Sequence, residues 1–201
     1  MNKFIYRSGL WLGFLFLSLN SYAERNLEKL INNHQSQFED IALKIWDYAE
    51  VGYQEYKSSD LLKRKLSEEG FTIKSNIANI PTAFVAEYGE GLPVIAILGE
   101  FDALPGVAQS SSPFRESYKD NIAGHACGHH LFGAGSAWAS VVIKEWLIAN
   151  NQKGTIRFYG TPAEEGGSGK VYMAREGIFN DVDVMLHWHP GSASHASPRT
   201  S

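Results

Sequence analysis

Cysteine is almost missing. The 201-residue chain has one, Cys127, so no disulfide can form within it and a disulfide-stapled scaffold is excluded. A basic excess is missing as well. The chain has 18 Lys and Arg against 22 Asp and Glu, a net charge of −4, with no Lys/Arg-rich stripe. The phosphate-neutralising contacts of a nucleic-acid binder therefore have no source, and no nucleic-acid partner is expected. No internal repeat and no low-complexity segment is visible. Beyond residue 23 no stretch reads as long and apolar enough to span a bilayer, so no stable membrane anchor is expected. What is left, 44% hydrophobic and 20% charged, is the composition of a globular domain.

The first 23 residues stand apart. Lys3 and Arg7 precede the apolar run Gly9 to Leu17, and Ser21-Tyr22-Ala23 closes it with small residues at the two positions a signal peptidase reads. This pattern predicts a secretory signal peptide cleaved before Glu24, hence a secreted or periplasmic chain. The apolar core is too short for a spanning anchor. Cleavage would remove two cations and no acid, leaving the mature chain more acidic. Residues 24–195 then form the body of the domain.

Hydrophobic spacing predicts its elements. Leu27, Leu30, Ile31, Phe38, Ile41, Ala42, Ile45 and Trp46 recur at three- and four-residue intervals, a helix over 26–49. A second helix is expected from about Ser58 to Glu69, with Gly70 as its stop. Strands follow at Phe71–Lys74, Ala83–Tyr88 and Val94–Leu98, the last continuously apolar. Residues 105–124 read as loop. Leu131–Ala149 is an apolar, buried helix with Trp138 and Trp146 as core. Strands at Thr155–Tyr159 and Val182–Leu186 enclose a short helix, Ser168–Arg175, stopped at Gly177. Strands alternating with helices imply an α/β fold, a mostly parallel sheet flanked by helices.

Chemistry concentrates late in the chain. Six of the seven histidines lie between residues 125 and 195. Cys127 sits among them in Gly124-His125-Ala126-Cys127-Gly128-His129-His130, and Glu164-Glu165 and His187-Trp188-His189-Pro190 follow. Each cluster falls at a strand's C-terminal end or a helix start, the edge where open α/β sheets bind ligands. Thiolate, imidazole and carboxylate together form a divalent-metal ligand set, and the sulfur favours zinc. Gly128 clears the space between two candidate ligands. Adjacent glutamates allow one to bind metal while its neighbour acts as base. Cys127 alone also admits a cysteine-nucleophile reading, with His129 or His187 as base. That reading leaves the glutamate pair without a purpose. Gly166-Gly167-Ser168-Gly169-Lys170 is not a phosphate loop: Val171 and Glu164 stand where Ser/Thr and Gly are required.

Four segments in order carry a family resemblance: Gly99-Glu100-Phe101-Asp102-Ala103-Leu104-Pro105-Gly106, Gly124 to His129, Thr161 to Gly167, and Leu186-His187-Trp188-His189-Pro190. They resemble the amidohydrolase branch of the aminoacylase/carboxypeptidase metallopeptidases, which includes hippurate, auxin-conjugate and aminobenzoyl-glutamate hydrolases. The last group is the most similar in form. The resemblance spans roughly residues 28–195 and implies a fold of the dinuclear-metal aminopeptidase type. It implies two divalent ions, zinc or alternatively manganese, with Cys127 bridging them and His129, Glu165 and His187 completing most of the shell. It implies Glu164 as general base and Asp102 behind the ligands. His125, His130 and His189 would lie nearby without ligating the metals directly. Glu100 takes a position that carries a metal-binding histidine in other branches. The implied reaction is hydrolysis of the amide bond of N-acyl or N-aroyl amino acids or dipeptide-like substrates.

Family members are longer. They insert a lid and dimerisation domain after the His187 segment, and a returning segment brings a further histidine that only His195 could replace here. Residues 24–195 are then expected to be the N-terminal part of an incomplete catalytic domain, and residues 196–201 to begin the connection to that lid. A homodimer is expected only for the longer, lid-bearing enzyme. The alternative expectation is a metal-binding, catalytically inactive fragment of such an enzyme.

Overall fold

The structure is a computed structural model and describes residues 8–118 and 122–194. Lys3 and Arg7 of the expected leader, His195 and residues 196–201 lie outside the described residues. The elements run in the order α1 (Ser8–Tyr48), α2 (Tyr56–Glu68), β1 (Thr72–Ser75), a 3-10 turn (Ile77–Asn79), β2 (Phe84–Glu90) and β3 (Val94–Gly99). Then come β4 (Leu104–Pro105), β5 (Ala123–Gly124), α3 (His129–Ala149), β6 (Gly154–Gly160), α4 (Gly169–Arg175) and β7 (Val184–Leu186). These match the expected elements closely from α2 onward. α1 differs: it starts at Ser8, well before the expected residue 26, and runs without a break to Tyr48.

The α/β class holds, and the sheet is more mixed than expected. Five strands lie in the order β1-β2-β6-β3-β7. β3 is parallel to both β6 and β7, while β2 is antiparallel to both β1 and β6. The reason is connection length. Only residues 91–93 join β2 to β3, too few for the crossover a parallel link requires. The chain therefore reverses, and β6 fills the gap between the two strands.

Helices cover both faces. Phe38, Ile41 and Ile45 of α1, Leu62 and Leu66 of α2, and Ala137 and Val141 of α3 pack with Phe84, Ile97, Ile156 and Phe158 of the sheet. On the other face Met173 of α4 packs with Val85, Ala96, Leu98 and Tyr159. This alternation along β2, β3 and β6 is what two-sided burial demands. By length and apolar composition α3 alone among the described residues could cross a membrane. Half of it is buried inside the fold, so here it is a core helix. Trp138 stacks on Phe38 with ring centroids 6.2 Å apart, whereas Trp146 lies exposed rather than in the core.

The layering brings four chain segments to one edge. β3 ends at Gly99 and delivers Glu100 and Asp102; β6 ends at Gly160 and delivers Thr161 to Glu165. β7 ends at Leu186 and delivers His187 to Pro190, and α3 begins there with His129.

Candidate metal centre

His129 is the hub. It is fully buried in the first turn of α3. Its Nδ1 lies 2.9 Å from Asp102 Oδ1 and 3.1 Å from the Asp102 carbonyl. Both are acceptors here, so Nδ1 carries the hydrogen and Nε2 is left facing the site. Nε2 stands 2.9 Å from Glu100 Oε2, 3.9 Å from Glu165 Oε1 and 4.0 Å from Glu164 Oε2. It nonetheless has no aligned hydrogen-bond partner, and neither does the buried Glu165 Oε1. Burial alone would lower the His129 pKa, but the Asp102 hydrogen bond and the charges of Asp102 and Glu100 outweigh it and hold the pKa at about 10. A proton is therefore strongly held where a dication would sit. An orphaned imidazole nitrogen facing three carboxylates fits a divalent metal, and the carboxylate behind Nδ1 is the usual support for a histidine ligand.

Cys127 precedes the hub by one turn residue. Gly128 lies at φ +81, and a Cβ there would come 2.9 Å from Pro190. Any side chain at 128 would thus strain the backbone and push the His189-Pro190 segment away. Burial and the neighbouring Glu165, Glu164 and Glu100 carboxylates push the Cys127 thiol up to about 11. That is the reverse of an activated nucleophile. It weighs against cysteine catalysis, and it suits a ligand that ionises only against a cation.

The two histidines after β7 stand at different places in the site. His189 Nε2 lies 3.5 Å from Cys127 Sγ, and Cys127, His129 and His189 can offer ligand atoms within 4.8 Å of one another. His189 Nδ1 donates to its neighbour's carbonyl, Pro190 O, at 2.9 Å, which leaves Nε2 as the free acceptor. His187 instead places Nε2 3.8 Å from Glu100 Oε1 and is about half exposed. Glu100, His129 and Glu164 make a second possible ligand group sharing the same hub. Expected ligands Cys127, His129 and Glu165 thus converge with Glu164, while His187 stands one step outside and His189 takes the place beside the thiol.

Glu100 contributes more than its sequence position suggests. It is almost fully buried, hydrogen-bonded to Lys170 Nζ and close to His129. Burial would raise its pKa, but the His129 and Lys170 cations beside it outweigh that and bring the carboxyl down to about 2. His125 and His130 belong to neither possible ligand group at the hub. Burial, seconded by the like charges of neighbouring histidines, lowers both to about 4. His125 Nε2 is 3.0 Å from the Ile45 carbonyl, so it ties this loop to α1. A distant cluster of His34, Glu69 and Glu145 is an ion-pair network: Lys65 lies 2.7 Å and Lys144 3.4 Å from Glu69.

Comparison with known proteins decides the family. Residues 96–199, just over half the chain, match the model of peptidase family M20/M25/M40. The chain belongs to this family. It is 46% identical over 169 residues to one of the subunits of p-aminobenzoyl-glutamate hydrolase from Escherichia coli, covering 83% of this chain and 35% of that protein. It is 31% identical over 166 residues to hippurate hydrolase of Campylobacter jejuni, covering 82% and 42%. Among solved structures it resembles the Bacillus subtilis YXEP protein, a dinuclear metal-binding M20 peptidase. That match has a TM-score of 0.62 at 29% identity, covering 78% of this chain and 43% of that one. The chain therefore spans well under half the length of these M20 relatives.

Proposed function

We propose that this M20 chain carries the metal centre of an amidohydrolase that cleaves the amide bond of N-acyl or N-aroyl amino acids or dipeptide-like substrates. The observation that carries this proposal is the convergence of Cys127, Glu164, Glu165 and His189 around the unpartnered Nε2 of His129. The similar proteins named for hydrolysis of p-aminobenzoyl-glutamate and hippurate support the substrate class. The dinuclear YXEP protein supports a count of two ions. Cys127, His129, Glu165 and the His187–His189 pair would hold them.

Bound divalent ions, zinc by the preference of the sulfur or alternatively manganese, supply Lewis-acid polarisation of the amide carbonyl. The remaining steps belong to the chain's own residues. Glu164 reaches toward solvent, with its side chain 45% exposed. It takes the proton of the attacking water and returns it to the leaving amine nitrogen. Asp102 works from behind: Oδ1 fixes the His129 tautomer and Oδ2 accepts the Glu165 N–H at 2.8 Å. Export through a leader over residues 1–23 is part of the proposal, supported by the charge, apolar core and small residues of that segment.

The test is Glu164→Gln, assayed on p-aminobenzoyl-glutamate and hippurate with metal content measured in parallel. Turnover should fall by about 10²–10⁴-fold with the ions retained. Near-full activity in that variant would remove Glu164 as the base.

A further inference from the structure

A second carboxylate lies beneath the centre, and nothing in the proposed hydrolysis uses it. Glu55 is fully buried. It occupies the residue before α2, where a capping side chain belongs, yet it makes no capping bond. Glu50 serves that end instead. Its oxygens accept the N–H groups of Lys57 at 3.0 Å and Ser58 at 2.9 Å, and the Ser58 hydroxyl at 2.8 Å. Glu55 is thereby free to turn away from its own helix. Its Oε1 accepts the Ala163 N–H at 2.8 Å and its Oε2 accepts the Thr82 hydroxyl at 2.9 Å. Both partners are neutral, and burying a carboxylate against neutral donors is costly for a bond that only packs one loop.

The accepted N–H belongs to an unusual residue. Ala163 lies at φ +57, in the left-handed region that a side chain disfavours, and it is fully buried. Its surroundings hold it there. A Cβ at Gly52 would come 3.1 Å from Ala163 Cα and Cβ, and one at Gly167 2.6 Å from its Cβ. The Tyr53 hydroxyl donates to the Gly167 carbonyl at 2.5 Å, closing the far side of the turn. The next two residues are Glu164 and Glu165. Segment 52–55 is thus a clamp on the turn that carries the glutamate pair, though it lies more than a hundred residues away in sequence.

We propose that Glu55, seconded by Tyr53, is a positioning residue of the centre: by accepting the Ala163 N–H it fixes the left-handed turn that delivers Glu164 and Glu165 to His129. This rests on the metal-centre proposal above. A merely structural role would cost stability and leave the affinity of the folded chain for metal unchanged.

The test is the Zn²⁺ affinity of the full chain, measured by competition with a chromophoric chelator, with circular dichroism alongside. Glu55→Leu removes the acceptor and keeps the volume. Glu55→Gln keeps an amide oxygen for Ala163 and an amide hydrogen for the Thr82 oxygen. Glu55→Leu is expected to weaken Zn²⁺ binding by about tenfold or more, as for other supports behind metal ligands, with Glu55→Gln within about threefold of the unaltered chain. If Glu55→Leu does not fold, Tyr53→Phe decides, with a loss of about threefold expected at unchanged circular dichroism. Unchanged affinity in the folded variant overturns the proposal, as does an equal loss in Glu55→Gln and Glu55→Leu. Failure of the unaltered chain to bind Zn²⁺ overturns the metal-centre proposal and this one with it. Unchanged affinity in Glu55→Leu removes the role of Glu55 alone.

Discussion

β6 and β7 flank β3 on opposite sides, both parallel to it, and they are packed to very different degrees. β6 is buried along nearly its whole length, with Phe158 at the centre of the core. β7 is short and at the edge, and its Val184, Met185 and Leu186 are each 42–48% exposed. The candidate centre draws on both. Asp102, His129 and Glu165 are rooted in β3, α3 and β6, where buried packing and hydrogen bonds fix them before any ligand arrives. His187 and His189 follow the exposed edge strand, their rings set edge-on against Phe132 and the Trp188 between them donating to the Ser136 hydroxyl at 3.0 Å. One half of the candidate centre is thus set by buried hydrogen bonds, and the other by ring contacts along a half-exposed edge.

That contrast can be broken from the packed side first. Phe158→Ala should cost about 3–5 kcal/mol in denaturant unfolding, because it opens a cavity between both layers. His129→Ala should cost the metal-free chain about 3 kcal/mol, since it strips the buried Asp102 of its cationic partner. The His129 contribution has a defined sign with pH. Its folded pKa, about 10, lies above its ordinary value of 6.5. Its stabilisation is therefore complete below pH 6.5 and lost as pH rises through about 10, and a pH series of unfolding midpoints for the two chains would show it.

Glu55 titrates with the same sense in a different window. Burial pushes its carboxyl from 4.5 up to about 7, so the folded chain holds that proton more tightly than the unfolded one. Its contribution is full below pH 4.5 and lost as pH rises through about 7. Glu55→Gln should flatten that decline by about 2 kcal/mol between pH 5 and 8, as read by the pH dependence of unfolding. On the exposed side the effects shrink. His189→Ala should weaken Zn²⁺ binding by about tenfold and His187→Ala by less, in chelator competition. A larger effect at His187 would bear out the ligand the sequence resemblance implied. Met185→Ala, at the half-exposed edge, should change stability by no more than about 0.5 kcal/mol. A cost comparable to Phe158→Ala would erase the difference between the two strands.

Much of this was legible in the sequence because it depends on period and punctuation. The continuous apolar run Val94–Leu98 announced a strand covered on both faces, and Gly177 marked the end of α4. The direction of β2 was also legible in principle, since the few residues on either side of it leave no room for a crossover. The choice between His187 and His189 was not. They are two residues apart in one motif, and only the fold shows that His189 Nε2 lies 3.5 Å from Cys127 Sγ. Glu55 was invisible for another reason. Glu55 lies in a polar stretch, Gly52-Tyr53-Gln54-Glu55-Tyr56-Lys57, that reads as surface, and its partner Ala163 is 108 residues away. Buried polar pairs have no periodic signature.

The most direct measurement is the metal content of the purified chain beside that of His129→Ala, by elemental analysis after gel filtration. The expected result is about two divalent ions per chain, as in a dinuclear centre, and their loss when the hub imidazole is removed. A chain that carries no divalent ion, or that carries as many without His129 as with it, would contradict the assignment of this edge of the sheet as a metal centre.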